Sequence, residues 1–138
     1  MTVKINHITF DAADPWALAQ FWAAATGFAE DADDPNLPGD DETALVSADD
    51  GTVLLFIRVP EGKTVKNRVH LDVAPTDVTR DEEVVRLGGL GATLHDDRRN
   101  ADGTGWVVLL DPEGNEFCVE RSDAERANPA PPGMGAET

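Results

Sequence analysis

The sequence predicts an α+β protein made of two βαβββ modules, with curled sheets enclosing a cleft, and three observations lead there. Each half of the chain reads as a strand, an amphipathic helix and then three strands. His7 and His70 hold corresponding places in the two opening strands, 63 positions apart. An amphipathic helix covers only one face of a four-stranded sheet, so the other two faces must meet something. At 138 residues the chain is one compact domain, or two small modules sharing a core. Folding at that size withdraws roughly 68–70% of the extended surface from water.

The elements follow in order. Val3–Phe10 alternates apolar and polar residues, as a half-buried strand does. Asp14-Pro15 starts a helix, with Asp14 as cap and Pro15 at the first helical position. Leu18, Phe21, Trp22 and Ala25 give that helix its apolar face, and Gly27 ends it. Phe28–Asp31 is a short strand. Ala44–Ala48 and Thr52–Val59 are longer ones, joined through Asp49-Asp50-Gly51 as a hairpin. In the second half Arg68–Val73 is the opening strand, and Thr79-Arg-Asp-Glu82 has capping-box spacing. Gly88, Gly89 and Gly91 punctuate the end of that helix. Strands Ala92–His95, Trp106–Leu110 and Phe117–Arg121 follow, the last two joined by the Asp111-Pro-Glu-Gly114 turn. Ser122–Thr138, rich in Pro and Gly, is a tail without a core of its own.

Composition excludes several classes. Eleven basic residues against 27 acidic ones leave a net charge of −16. That field repels phosphate backbones and anionic lipid, so neither nucleic acid nor membrane is expected as a partner. No apolar run approaches the about 20 residues of a membrane helix. The N-terminus lacks a secretory apolar stretch, and a single cysteine, Cys118, allows no intrachain disulfide and no multi-Cys zinc site. A cytoplasmic location is expected. Neither a phosphate-cradling glycine loop nor a serine nucleophile elbow is present.

The paired modules, the Asn6-His7-Ile8 opening, Asn67-Arg-Val-His-Leu-Asp72 and Asp111-Pro-Glu-Gly-Asn-Glu-Phe-Cys118 resemble the glyoxalase/bleomycin resistance family of the vicinal oxygen chelate superfamily. The chain is similar to its small glyoxalase-like members over about residues 4–121. The domain is expected over 1–121, its modules over about 3–60 and 67–121, and the tail over 122–138. The resemblance implies a divalent cation (Fe, Mn, Ni or Zn) held by side chains from four strands, which stabilises a developing anion on a vicinal-oxygen substrate. It also implies a homodimer.

Carried over residue by residue, His7 falls on the first ligand position and His70 on the third. The second, within Leu54–Arg58, holds no plausible ligand. The fourth is usually a Glu at the eighth residue counted from the turn's Asp111, and that residue is Cys118. Glu120 lies two residues on and shares its strand face. His7, His70 and Glu120 form the preferred metal set, on the chemistry of a two-histidine, one-carboxylate triad. Cys118 in place of Glu120 would suit zinc. Lactoylglutathione chemistry fits poorly, because at least one acid-base carboxylate is missing.

Each residue has a plainer reading beside this one. His7 and His70 can hydrogen-bond within a core, or hold an organic ligand without metal. Asp72 either orients His70 or is an exposed strand carboxylate, the latter favoured. Cys118 is more often inert packing than ligand or nucleophile. Trp106, after Gly103-Thr-Gly105, lines a ligand pocket or packs on an edge. Arg58, with Lys63, Lys66 and Arg68, binds an anionic group or balances acidic loops, the second favoured. No catalytic residue is assigned. The reading is thus a metal-dependent lyase, isomerase or oxygenase. Two alternatives stand beside it: a binding protein that sequesters a cationic or aromatic compound, and a structural module.

Overall fold

The computed structural model describes residues 1–127. The chain divides into two compact units, Met1–Thr64 and the remainder from Val65.

The first unit contains β1 (Ile8–Ala12), α1 (Pro15–Thr26), β2 (Glu42–Val46) and β3 (Val53–Arg58). The strands form one sheet in the order β1-β3-β2, with β1 parallel and β2 antiparallel to β3. The Asp14 carboxylate accepts the Ala17 N–H at 3.2 Å, Pro15 occupies the first turn, and Gly27 closes α1 at φ 78°. These are the capping features read from the sequence. Leu18, Ala19, Phe21 and Trp22 are buried on α1, and Leu45, Leu54 and Phe56 on the sheet. Phe10 joins them, its ring centroid 5.7 Å from Trp22 and 5.2 Å from Phe56.

The opening strand starts later than its alternation suggests. Val3 and Ile5 are exposed, and pairing begins at Ile8 opposite Leu54. β3 starts at Val53, one residue before the partner of Ile8, so residues ahead of His7 run past the end of their parallel partner. Phe28–Asp31 is reduced to a bridge from Ala29 to Val46. The hairpin at Asp49-Asp50-Gly51 forms as expected, with Gly51 N–H donating to Ser47 O at 3.0 Å.

The second unit contains β4 (Asp72–Val73), α2 (Arg80–Leu90), β5 (Thr93–Arg99), β6 (Gly105–Leu110), β7 (Glu116–Val119) and α3 (Asp123–Ala127). Its sheet runs β4-β7-β6-β5, with β4 parallel to β7 and the rest antiparallel. This is the first unit's order again, with Ala29 standing where β5 does. The Thr79 capping box forms in both directions, and α2 continues through Gly88 and Gly89 to stop at Gly91. The expected strand Arg68–Val73 keeps only its last two residues.

The C-terminal segment starts as a short helix. Glu125 Oε1 accepts N–H bonds from Ser122 at 2.9 Å and from Arg80 at 2.7 Å, so one carboxylate caps α3 and the first turn of α2 together. The rest of the Pro/Gly-rich tail, 128–138, lies outside the described residues.

Candidate functional site

The site is built within the second unit, where β4 and β7 run side by side. Asp72 pairs in register with Cys118, and Cys118 N–H donates to Leu71 O at 2.9 Å. His70 lies two residues ahead of β4 and turns its ring towards both. Its Nδ1 is 2.9 Å from Asp72 Oδ1 and 4.0 Å from Cys118 Sγ. One donor atom from each of the three residues lies within 4.8 Å of the others. His70 and Asp72 are half-exposed, whereas Cys118 is 8% exposed. Solvent therefore reaches the site from the imidazole and carboxylate side.

The thiol is protonated at neutral pH. Burial, the negative charge of Asp72, its hydrogen bond and the charge of Glu120 push the Cys118 pKa up to about 11, with Lys66 opposing. A divalent cation would reverse that balance, since it stabilises a thiolate and neutralises the carboxylates together. Nitrogen, oxygen and sulfur donors at these separations suit a small cation after modest movement, tetrahedral zinc best of all by ligand type. The alternative use of Asp72 is the hydrogen bond it already makes, which fixes the His70 ring with Nε2 as the remaining ligand atom.

The other sequence-predicted residues are placed as follows. His7 is exposed, one residue ahead of β1 in the first unit. Glu120 does not belong to the three-residue group; its Oε1 accepts from Arg126 Nη2 at 3.1 Å. Trp106 is the second residue of β6 and has 44% of its surface exposed. Val108, two residues on, pairs with Cys118, so Trp106 shares the sheet face of the site. Arg58 closes β3 by binding Asp41 Oδ1 at 3.0 Å and the carbonyl oxygens of Ala13 and Asp40.

Sequence reasoning did not find the scaffold behind His70. Glu116 Oε1 accepts the Asn67 N–H at 3.1 Å, and Asn115 Oδ1 accepts Asn67 Nδ2 at 3.1 Å. Asn115 is in turn held by both oxygens of the buried Asp111. The available signal was the pair Asn67 and Asn115, one in each of the second half's two motifs.

Each unit thus pairs its opening strand in parallel with its last one and covers the sheet with a helix, and the histidine-carboxylate-thiol group sits beside the second of these strand pairs. The chain belongs to the glyoxalase-like domain family, whose model matches residues 7–120. No curated protein matches the chain. Among solved structures it is similar to a glyoxalase/bleomycin resistance protein/dioxygenase family enzyme from Burkholderia phytofirmans PsJN, at 20% identity and TM-score 0.64, over 85% of this chain and 96% of that one. It is similar to the fosfomycin resistance protein FosX from Mesorhizobium loti, at 17% identity and TM-score 0.64, over 92% and 98%. A mutant of FosX from Listeria monocytogenes, complexed with Mn(II) and 1S,2S-dihydroxypropylphosphonic acid, matches at 18% identity and TM-score 0.65, over 91% and 95%.

Proposed function

We propose that the protein is a metal-dependent glyoxalase-like enzyme acting on a small substrate with vicinal oxygens. The observation that carries this reading is the convergence of His70, Asp72 and Cys118 on one face of the second unit's sheet. His70 and Cys118 would hold the cation, with Asp72 as a third ligand or as the group that orients the imidazole. His7 enters as a further ligand on the strength of the family resemblance and Glu120 on chemical type alone, and Glu120 would first have to leave Arg126. The cation would supply Lewis acidity to a pair of substrate oxygens. Trp106, on the same sheet face, would form part of the substrate's wall. A homodimer and a cytoplasmic location belong to the same reading.

Protein purified without chelator should carry a stoichiometric divalent metal, and His70→Ala should lose it. Metal-free protein that gives no calorimetric signal with Zn(II) or Mn(II) would overturn the proposal.

One observation favours a second reading. Where the resemblance expects a carboxylate, the chain has a thiol held protonated at neutral pH. A non-catalytic protein that sequesters a cationic aromatic compound needs no such carboxylate, and the net charge of −16 would assist capture. Salt-sensitive binding of a basic aromatic compound without turnover is its expected signature.

A further inference from the structure

We infer that Glu116 and Asn67 are positioning residues: the buried end of β7 reaches back to hold the segment that carries His70, and so sets the distance between His70 and Cys118. The inference deepens the metal-site reading above and rests on it for its consequence, though not for its geometry. β4 comprises only Asp72 and Val73, so strand pairing cannot place a residue two positions upstream. His70 is instead bracketed by two anchors. On its C-terminal side Leu71 O accepts from Cys118 N–H at 2.9 Å. On its N-terminal side Asn67 is held twice, by Glu116 at its backbone and by Asn115 at its side chain, each at 3.1 Å.

Both anchors belong to the single stretch Asn115–Cys118, which also supplies the thiol. Segment and sulfur are therefore referenced to the same few residues. Glu116 is 8% exposed and Asp111, which holds Asn115, is 3% exposed, so these acceptors compete little with water. Removing the N-terminal anchor leaves Asn67–His70 tied from one side, and the ring then samples positions beyond the sulfur's reach. Groups of this kind, touching ligands only through others, tune metal affinity by ten- to hundredfold.

The test compares Asn67→Ala, Glu116→Ala and Glu116→Gln with the parent, and uses Thr79→Ala as a variant destabilised away from the site. Two readouts are taken. The first is Co(II) titration, followed by the thiolate-to-cobalt charge-transfer band. The second, on metal-free protein, is the His70 ring resonances together with amide exchange over residues 67–70. Asn67→Ala and Glu116→Ala should weaken Co(II) at least tenfold, shift the His70 ring signals and speed exchange. Glu116→Gln, which keeps an acceptor oxygen, should recover most of each effect, and Thr79→Ala should reproduce none. If the parent takes up no Co(II) but ring signals and exchange respond as described, the metal reading fails and the positioning role stands. Unchanged His70 signals and exchange in Asn67→Ala and Glu116→Ala would overturn the inference.

Discussion

The sulfur of Cys118 lies 4.0 Å from Nδ1 of His70, and that same nitrogen is 2.9 Å from the Asp72 carboxylate. One imidazole thus stands between a buried thiol and a half-exposed acid. The neighbours of the sulfur are those that disfavour its ionised form: apolar burial first, then Asp72 and Glu120.

The chemical consequence is an unreactive thiol in the metal-free protein. With the pKa at about 11 instead of the ordinary 9.0, iodoacetamide labelling at pH 8 should be roughly 100-fold slower than for a free cysteine. Its rate should still be climbing at pH 10, and a plateau below pH 9 would contradict the geometry. The effect on folding has a definite sign. The folded pKa is raised, so the contribution to stability is whole below pH 9 and is lost as pH rises towards 11. Cys118→Ser should flatten that alkaline limb in urea denaturation.

Gly105 has no room for a side chain. Its φ is +93°, and a Cβ there would stand 2.1 Å from the backbone oxygen of Arg98 across the β5–β6 pair. Its carbonyl also accepts from Arg80 Nη1 at 3.2 Å. Gly105→Ala should cost about 3 kcal/mol or more, because strand backbone has to move. Gly114 has a similar φ of +86° but open space around it, so Gly114→Ala should cost only the dihedral penalty of about 1–2 kcal/mol. Equal shifts in urea midpoint for the two variants would show that the clash is relieved.

The first unit depends on one aromatic cluster. Phe56 is fully buried, and its ring centroid is 5.2 Å from that of Phe10. Phe56→Ala should destabilise the protein by about 3–5 kcal/mol, as truncation of a buried aromatic does. A loss below about 1 kcal/mol would mean the cluster refills the cavity.

Helix caps and turns were legible in the sequence because each is a local bargain between a side chain and nearby backbone. Asp14-Pro15, Thr79 with Glu82, and Asp49-Asp50-Gly51 all act within a few residues of themselves. Strand limits were not legible in the same way, since a strand lasts only while its partner does. Val3–His7 alternates correctly and still runs beyond the start of β3, and Arg68–Leu71 alternates ahead of a two-residue β4. For the site, the motif spacing drew attention to His70 and to the eighth place from Asp111. Along the chain, only chemical type separates Glu120 from Cys118 as a third ligand. Register, which sets Cys118 opposite Asp72, is a long-range property that spacing along the chain does not carry.

The capping box at Thr79 offers a pH-dependent measure of α2. Thr79 Oγ1 accepts the Glu82 N–H at 3.2 Å, while Glu82 Oε1 accepts from Thr79 N–H and from its hydroxyl, both at 3.0 Å. Those donors hold the Glu82 carboxyl below its ordinary 4.5. A depressed carboxylate contributes stability above its unfolded pKa and loses it as pH falls through the folded value. Thr79→Ala should cost about 1 kcal/mol at pH 7, the usual loss when a helix N-cap side chain is removed. Alanine keeps the Thr79 N–H bond to Glu82 and loses only the hydroxyl, so the gap between Thr79→Ala and parent should narrow partly on acidification, as protonated Glu82 no longer rewards the hydroxyl. Paired urea denaturations at pH 7 and pH 3.5 check this, and a gap that widens on acidification would mean that Thr79 acts through something other than its reciprocal bonds with Glu82.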